Sequence, residues 1–315
     1  MHAPLSPART PRPAISLILA TVGTDHRLAK LLESLRAQRL RDFETIVVDQ
    51  SDGNDVETLI DEHRDALAIR HLRHPRGLSR SRNAGLRIAT GAIIAFPDDD
   101  CWYEDDVLAR VQQFFSRHPR VDGVTGRALF DATEHPPARF ARRAQWVVAT
   151  KVWTQGISCT IFLRSALVTR IGPFDERLGL GADSPWTAAE ESDYLLRAVG
   201  LHAQIWYDPA LTVNHPGHRG RFTPVEHARG ASYARAMGYV MRRHGARVPS
   251  LAYHLARPIG GALAGVLRGR TDVARFHACV LGGRLRGWRD GGPAPAWTYD
   301  PAREGASAVA APEHP

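Results

Sequence analysis

Three consecutive aspartates, Asp98, Asp99 and Asp100, directly follow an apolar run at residues 93–96. Like charges this close repel one another, so the cluster calls for a compensating cation. Alternate side chains of an extended segment point the same way, which predicts that Asp98 and Asp100 face one site and Asp99 faces away. Carboxylate oxygens suit Mg²⁺ or Mn²⁺, which can bridge phosphate oxygens. The alternative is a surface loop that caps the helix predicted from "EDDVLARV".

A second carboxylate occupies an equivalent place in the sequence. Asp49 ends the apolar stretch "TIVVD", which also reads as a buried strand. In open parallel sheets, ligands bind outside the carboxyl ends of the strands. The two acidic positions together therefore favour a metal and phosphate site over the loop interpretation.

Alternating strands and helices position these residues. Strand-like runs at 14–22, 43–51, 69–74 and 92–100 are separated by helical segments, the first with leucines at helical spacing. This alternation predicts an α/β fold with parallel strands and right-handed crossovers. Further on, "AQIWYDPALTVNHP" predicts a late pair of strands.

The composition excludes several classes of protein. Three scattered cysteines match neither a metal knuckle nor a disulfide framework, and they favour a reducing compartment. The segment "MHAPLSPARTPRPA" lacks the apolar core of a signal peptide. No run of about 18 apolar residues predicts a membrane span. Neither GxGxxG after the first strand nor GxxxxGK[ST] occurs, so a nicotinamide site and a P-loop are disfavoured.

Positive charge is concentrated near the end of the chain. Residues 216–292 contain 14 arginines against three acidic residues, whereas the whole chain has a net charge of +8. Helices predicted there mix arginine with apolar residues, which favours contact with an anionic membrane surface. The alternative is a solvated helical lid that packs on the rest of the protein. Nothing in this segment resembles a module that reads bases, so no nucleic-acid partner is expected.

The motifs, taken together and in order, resemble family 2 glycosyltransferases with the GT-A fold. The stretches that carry the resemblance span about residues 14–215. They are "ISLILATVGTDHRLAKLLESLRAQ", "TIVVDQSDGN", "RGLSRSRNAGLRIATGAIIAFPDDD", "IGPFDERLGLG" and "EESDYLLRAVG". The resemblance implies a mixed sheet flanked by helices, a nucleotide-diphosphate sugar donor, inversion and a divalent metal, Mn²⁺ or Mg²⁺.

The resemblance also implies roles for individual residues. Asp98 and Asp100 match the two ends of the DxD motif. Asp100 would coordinate the metal, and Asp98 would contact the ribose or the metal. Cys101 stands where a fourth acidic residue is common. The remaining residues implied in the nucleotide-sugar site are Thr21, Asp49, Asp52, Arg80, Arg82, Asn83 and Asp99.

A catalytic base is expected at the start of the helix in "TAAEESDYLLRAVG". An inverting transfer needs a carboxylate that deprotonates the acceptor hydroxyl. Glu191 stands where the family has its catalytic aspartate, and Glu190 is the second candidate. The alternative is an acidic first turn that complements the helix dipole, and Asp193 with Arg197 would fit that alternative as an i,i+4 pair.

Four further residues are candidates for the site. His215 is expected as a metal ligand after the last strand of the fold, and His218 is a weaker candidate; a structural histidine is the alternative for both. Trp186 is expected to stack on an acceptor sugar, with a packed loop residue as the alternative. Asp193 is assigned to the acceptor site with it.

These features predict a metal-dependent transferase at the cytoplasmic face of the membrane, peripherally bound. Its donor would be a nucleotide-diphosphate sugar, with UDP favoured, and its acceptor a lipid-linked or saccharide hydroxyl in surface polysaccharide or glycolipid synthesis. The predicted organisation is a disordered segment at 1–13, a catalytic domain at 14–215, a basic helical extension at 216–292 and a disordered tail at 293–315. A nucleotidyltransferase or phosphohydrolase, or an inactive nucleotide-sugar-binding module, remains an alternative.

Overall fold

The computed structural model describes residues 12–23, 26–131, 139–217, 222–292 and 312. The segments expected to be disordered, 1–13 and 293–315, lie almost wholly outside these residues. The strands are Ile15–Thr21 (β1), Phe43–Asp49 (β2), Ile69–Arg73 (β3), Ile93–Ala95 (β4), Gly123–Phe130 (β5), Gln145–Trp146 (β6), Ile161–Arg164 (β7) and Ile205–His215 (β8). The helices are His26–Arg36 (α1), Asp55–Asp61 (α2), Leu78–Leu86 (α3), Val107–Arg117 (α4), Ser165–Ile171 (α5), Glu190–Gly200 (α6), Pro224–Arg243 (α7), Val248–Leu267 (α8) and Thr271–Asp290 (α9).

The strands form one mixed sheet in the order β3-β2-β1-β4-β7-β5-β8-β6. The first four of these are parallel, as the alternation of strands and helices predicts. Strand β7 is antiparallel to both β4 and β5, and β8 is parallel to β5. The expected α/β architecture with a mixed sheet is therefore confirmed.

The expected late pair of strands is wrong, because β8 is a single strand of 11 residues. Its ladder with β5 is interrupted by a register shift between Thr125 and Arg127. Pro209, which cannot donate to a ladder, falls within the part of β8 that the shift leaves unpaired. Because of this bulge, β8 continues as one strand past Pro209, a residue type that in the sequence indicates a turn.

The sheet buries apolar side chains on both faces. Ile15, Leu17 and Leu19 of β1 pack with the leucines of α1, while Ile18 points to the opposite layer. This follows from the period of two in a strand and explains why β1 and β2 are buried almost throughout. The second layer contains residues of α3, α5, α6 and α7.

The basic extension begins as part of the core. Helix α7 starts with a capping box in which Thr223 and Glu226 bond each other's backbone N–H, and Pro224 follows the cap. Tyr239 and Val240 on its inner face belong to the same apolar layer as α6. Within the described residues, no helix combines the length and apolarity needed to cross a bilayer.

Candidate active site

Three parallel strands end side by side and bring polar residues together. Thr21 at the end of β1 is the register partner of Asp49 at the end of β2. The chain beyond β4 adds a bridge between Ala20 and Asp98. The expectation that the acidic ends of these strands meet at one edge of the sheet is met in this arrangement.

Asp98 has partners for both carboxylate oxygens. The hydroxyl of Ser158 lies 2.8 Å from Oδ1 and 2.7 Å from Oδ2. Arg82 donates from Nη2 to Oδ1 at 3.0 Å. Arg82 therefore supplies positive charge beside Asp98, and Ser158 adds a hydrogen bond.

The other two aspartates of the triplet have different partners. Asp99 accepts a hydrogen bond of 2.8 Å from the hydroxyl of Thr21. Asp100 Oδ1 lies 3.2 Å from His215 Nε2, and its Oδ2 lies 3.5 Å from a nitrogen of Arg27. The three aspartates thus have separate partners, and Asp98 and Asp100 do not share one.

The pairing of Asp100 with His215 shifts the pKa values of both groups. Burial alone would raise the pKa of Asp100, but the hydrogen bond and charge of His215 outweigh it and lower the pKa. Burial likewise opposes the charged imidazole, yet Asp100 raises the pKa of His215 to about 9. These two residues attract each other strongly at the end of β8.

The predicted three-ligand metal set is not assembled. In the part of the chain that the structure describes, no group of three His, Cys, Asp or Glu side chains is arranged to hold a metal ion. Asp100 and His215 nevertheless fit such an ion as two ligands once the imidazole nitrogen that faces Asp100 has lost its proton. Their 3.2 Å separation is close to that of adjacent ligands in an octahedral shell, on the order of 3 Å. Asp98 departs from the prediction because Arg82 and Ser158 hold it, and His218 lies outside the described residues.

Arg82 joins this edge of the sheet to helix α6. Its side chain is almost fully buried and donates from Nη1 to Glu190 Oε1 at 2.8 Å. Burial alone would lower the pKa of Arg82, but Glu190, Asp98 and Glu191 together raise it. The guanidinium therefore stays charged and fixes Glu190 relative to Asp98.

Glu191 lies in a different environment from Glu190. It lines a small recess together with Arg82, Ser158, Ile161 and three aromatic rings. Burial, and then the charge of Glu190, raise the pKa of Glu191 to about 8. Ala189, just before the pair, has a left-handed backbone with φ of 68°, which is uncommon for a residue with a side chain.

Asp49 is bonded entirely within the protein. Its Oδ1 accepts from the backbone N–H and the hydroxyl of Ser51, and its Oδ2 lies 3.1 Å from His71 Nε2. Burial would raise the pKa of Asp49, but these bonds and Arg73 lower it. Asp52 in the same loop is almost fully exposed.

Two residues of α3 support the neighbouring loops. Asn83 is buried, and its amide bonds the backbone N–H and carbonyl of Phe174. Arg80 reaches the exposed carboxylate of Asp183 at 3.3 Å. Both contacts fasten α3 to the segment that leads to α6, so the structure brings neither residue into contact with Asp98.

The two residues expected at the acceptor site lie against α7. Trp186 stacks on Tyr239 with ring centroids 3.7 Å apart. Asp193 is 2% exposed and accepts from His244 at 2.7 Å and Arg197 at 2.9 Å. Asp193 forms the i,i+4 pair with Arg197 that the helix-dipole alternative expected, and its carboxylate is enclosed between α6 and the end of α7.

Sequence reasoning missed Ser158 and Arg27, which bond Asp98 and Asp100. Ser158 lies 60 positions from its partner and shortly before β7. Arg27 is one of many arginines and has no distinguishing neighbour in the sequence. Spacing carries no signal for either contact, since both arise from the fold.

Comparison with known proteins agrees with this architecture. The family model described as Glycosyl transferase family 2 matches residues 16–168. A curated relative, the PGL/p-HBAD biosynthesis glycosyltransferase of Mycobacterium tuberculosis, is 28% identical over 175 residues, covering 54% of this chain and 67% of that protein. The putative glycosyltransferase EpsH of Bacillus subtilis is 33% identical over 97 residues, which are 30% of this chain and 28% of that protein.

Solved structures share the fold at low sequence identity. The mannosyltransferase PcManGT of Pyrobaculum calidifontis, solved with GDP-Man and Mn²⁺, has a TM-score of 0.61 and 18% identity, covering 89% of this chain and 88% of that one. S. aureus TarS has a TM-score of 0.54 and 17% identity. The match covers 87% of this chain but only 54% of TarS. Residues 16–168 therefore match glycosyltransferase family 2, and the chain has the GT-A fold that its motifs imply.

Proposed function

We propose that this protein transfers a sugar from a nucleotide-diphosphate donor to an acceptor hydroxyl, with inversion at the anomeric carbon. The observation that carries the proposal is the bridge that Arg82 makes between Asp98 and Glu190. Through this bridge, Glu190 and its neighbour Glu191 lie beside the edge of the sheet where the strands end. A donor bound at that edge and a carboxylate base would therefore be close together.

The donor diphosphate would lie at Asp100 and His215, which would hold a divalent ion, Mn²⁺ or Mg²⁺. When bound, the ion supplies positive charge that stabilises the leaving diphosphate. The solved structure of PcManGT with GDP-Man and Mn²⁺ supports this assignment. Thr21, Asp49 and Asp99 would line the nucleoside end of the same edge, and a UDP-sugar is the favoured donor.

Glu191 is the better candidate for the base. Glu190 is the weaker candidate because its Oε1 already accepts a hydrogen bond of 2.8 Å from the buried Arg82. Glu191 has a raised pKa, which matches a group that must accept a proton near neutral pH. It would take the proton of the acceptor hydroxyl as that oxygen bonds the anomeric carbon, while the bond to the diphosphate breaks and its electron pair leaves with the nucleotide.

The acceptor would be a lipid-linked or saccharide hydroxyl, in surface polysaccharide or glycolipid synthesis, at the cytoplasmic face of the membrane. The basic charge of residues 216–292 supports a peripheral location. Two curated relatives, a PGL/p-HBAD biosynthesis glycosyltransferase and a glucosyl-dolichyl phosphate glucuronosyltransferase, support this choice.

A donor screen tests the proposal. Thermal unfolding would be followed with UDP-, GDP-, dTDP- and CDP-sugars, each with and without Mn²⁺. The proposal predicts a metal-dependent rise in the unfolding temperature with one class of sugar nucleotide, and release of the nucleoside diphosphate once an acceptor is added. Stabilisation by nucleoside triphosphates alone, with release of pyrophosphate, would instead indicate a nucleotidyltransferase. Donor binding without transfer to any member of a broad acceptor panel would indicate a binding module.

A further inference from the structure

Helix α8 presents an uncharged face to solvent along most of its length. Six residues at helical spacing form this surface, here called the α8 face: Tyr253, Ala256, Ile259, Leu263, Val266 and Leu267. Leu263 is 60% exposed and Leu267 is 86% exposed. The opposite side of the helix, with Leu251, Pro258 and Gly265, is buried. Contiguous apolar exposure of this kind marks an interaction surface.

A basic cavity lies beside the α8 face. Its volume is about 290 Å³, and it opens between the end of α8 and the start of α9. The charged and titratable side chains that line it are Arg139, Arg268, Arg270 and His277. Asp272, 3.6 Å from Arg270, is the acid that neighbours this group. A cavity lined by guanidinium groups suits a phosphate.

Two further arginines, Arg257 on α8 and Arg284 on α9, add positive charge around this helix. Arg257 and Arg284 have no carboxylate within ion-pair distance among the residues that the structure describes. Burial and then Arg139 lower the pKa of Arg257, and burial and then Arg257 lower the pKa of Arg284 to about 10. Between residues 248 and 290 there are seven arginines and two aspartates. The apolar face is therefore bordered by cations that repel one another, and an anionic partner would relieve that repulsion.

The exposed apolar face and the arginines beside it together favour an anionic membrane as the partner. An amphipathic helix with apolar residues on one face and arginine at its border is suited to lie in the head-group region of an anionic bilayer. A second copy of the chain docked face to face would bring two arginine-rich borders together, which charge repulsion disfavours.

We propose that the α8 face lies in the head-group region of a membrane that carries anionic lipids, with a lipid phosphate in the basic cavity. This deepens the membrane location in the proposed function, but the surface involved is separate from the donor site. Leucine, isoleucine and valine side chains would enter the interface, and arginines at the border would contact lipid phosphates.

Vesicle sedimentation with the full chain tests the proposal. One set of vesicles is phosphatidylcholine, and the other is an equal mixture with phosphatidylglycerol. The double variant Leu263→Glu, Leu267→Glu should bind the anionic vesicles about tenfold more weakly than the wild type. Val225→Glu, a change at a residue 76% exposed on α7, is the matched control and should bind as the wild type does. Likewise Arg268→Gln should weaken binding to anionic vesicles, whereas Arg39→Gln, at an exposed ion pair elsewhere, should not.

Several results would overturn the proposal. The proposal is wrong if the protein binds both vesicle types equally or binds neither. It is also wrong if the Leu263→Glu, Leu267→Glu variant binds anionic vesicles as well as Val225→Glu does. Saturable binding of inorganic pyrophosphate to the cavity without vesicle binding would assign it to a free phosphate. A dimer that the double variant abolishes would assign the face to a second copy, and vesicle binding seen only after removal of residues 293–315 would assign it to the tail. Unfolding temperature and donor binding without vesicles verify that each variant is folded, and they report on the proposed function independently.

Discussion

Arg82 Nη1 lies 2.8 Å from Glu190 Oε1 in the protein interior, although 108 positions separate the two residues in sequence. The same guanidinium bonds Asp98, so one side chain ties α3 to the end of β4 and to the start of α6. The position of the glutamate pair relative to the aspartates therefore depends on Arg82.

Removal of the Arg82 guanidinium should lower the free energy of unfolding. Arg82→Leu leaves Glu190 and Asp98 without their cation, and breaking a buried ion pair costs about 3–5 kcal/mol in the free energy of unfolding. Arg80→Ala, which breaks an ion pair with the exposed Asp183, should cost less than about 1 kcal/mol. Urea unfolding followed by circular dichroism measures both values, and equal costs would show that the Arg82 bridge does not stabilise the fold.

Removal of the proposed base should impair turnover and spare binding. Glu191→Gln keeps the size of the side chain but cannot accept the proton, so kcat should fall by about 10²–10⁴. Donor affinity, measured by calorimetry, should stay within about twofold of wild type because the donor lies at the strand ends. If Glu190→Gln impairs turnover while Glu191→Gln leaves it intact, the roles of the two glutamates are reversed.

The transfer rate should rise with pH. The pKa of Glu191 is raised to about 8 by burial and by Glu190, so this group is mostly protonated at neutral pH in the substrate-free protein. Only the ionised form can act as a base, so kcat/KM should increase as the pH passes through about 8. Glu190→Gln removes the repulsion and should move the midpoint to lower pH. A rate that falls over the same interval would rule out Glu191 as the group that must be ionised.

Asp193 should matter for stability. Burial alone would raise its pKa, but His244 and Arg197 lower it, so the folded state binds this proton less readily than the unfolded state. The contribution is present above the unfolded pKa of about 3.9 and is lost as the pH falls through the lower folded value. Asp193→Asn should cost about 3 kcal/mol at neutral pH and less in acid. The free energy of unfolding of both proteins, measured from neutral to acidic pH, tests this. A loss in Asp193→Asn that does not change with pH would mean that the charge of Asp193 is unimportant.

The sequence predicts the parallel half of the sheet well, because β1, β2 and β4 are buried on both faces and appear as short apolar runs. It also locates Asp49 and Asp98 at strand ends, where the structure has them. The single long β8 is missed because Pro209 and its neighbours imitate a turn, whereas in the structure they form a bulge of β8 opposite the register shift in β5.

The partners of the site residues are harder to predict. The pairing of Arg82 with Glu190 and of Asp98 with Ser158 joins segments far apart in sequence, and residue type gives no indication of distance. Asp193 illustrates the same limit: its place in an acidic first turn is visible, but enclosure by His244 depends on how α7 packs. Local pattern determines elements, while tertiary packing determines which carboxylates remain accessible.

The central claim is that Asp100 holds a divalent ion against the diphosphate of a sugar nucleotide. Calorimetry of donor binding, with and without Mn²⁺, tests it most directly in the wild type and in Asp100→Asn, whose amide is nearly the same size but carries no charge. The account predicts that Mn²⁺ strengthens donor binding to the wild type by about tenfold or more and has little effect on Asp100→Asn. Equal enhancement by Mn²⁺ in both proteins would contradict it.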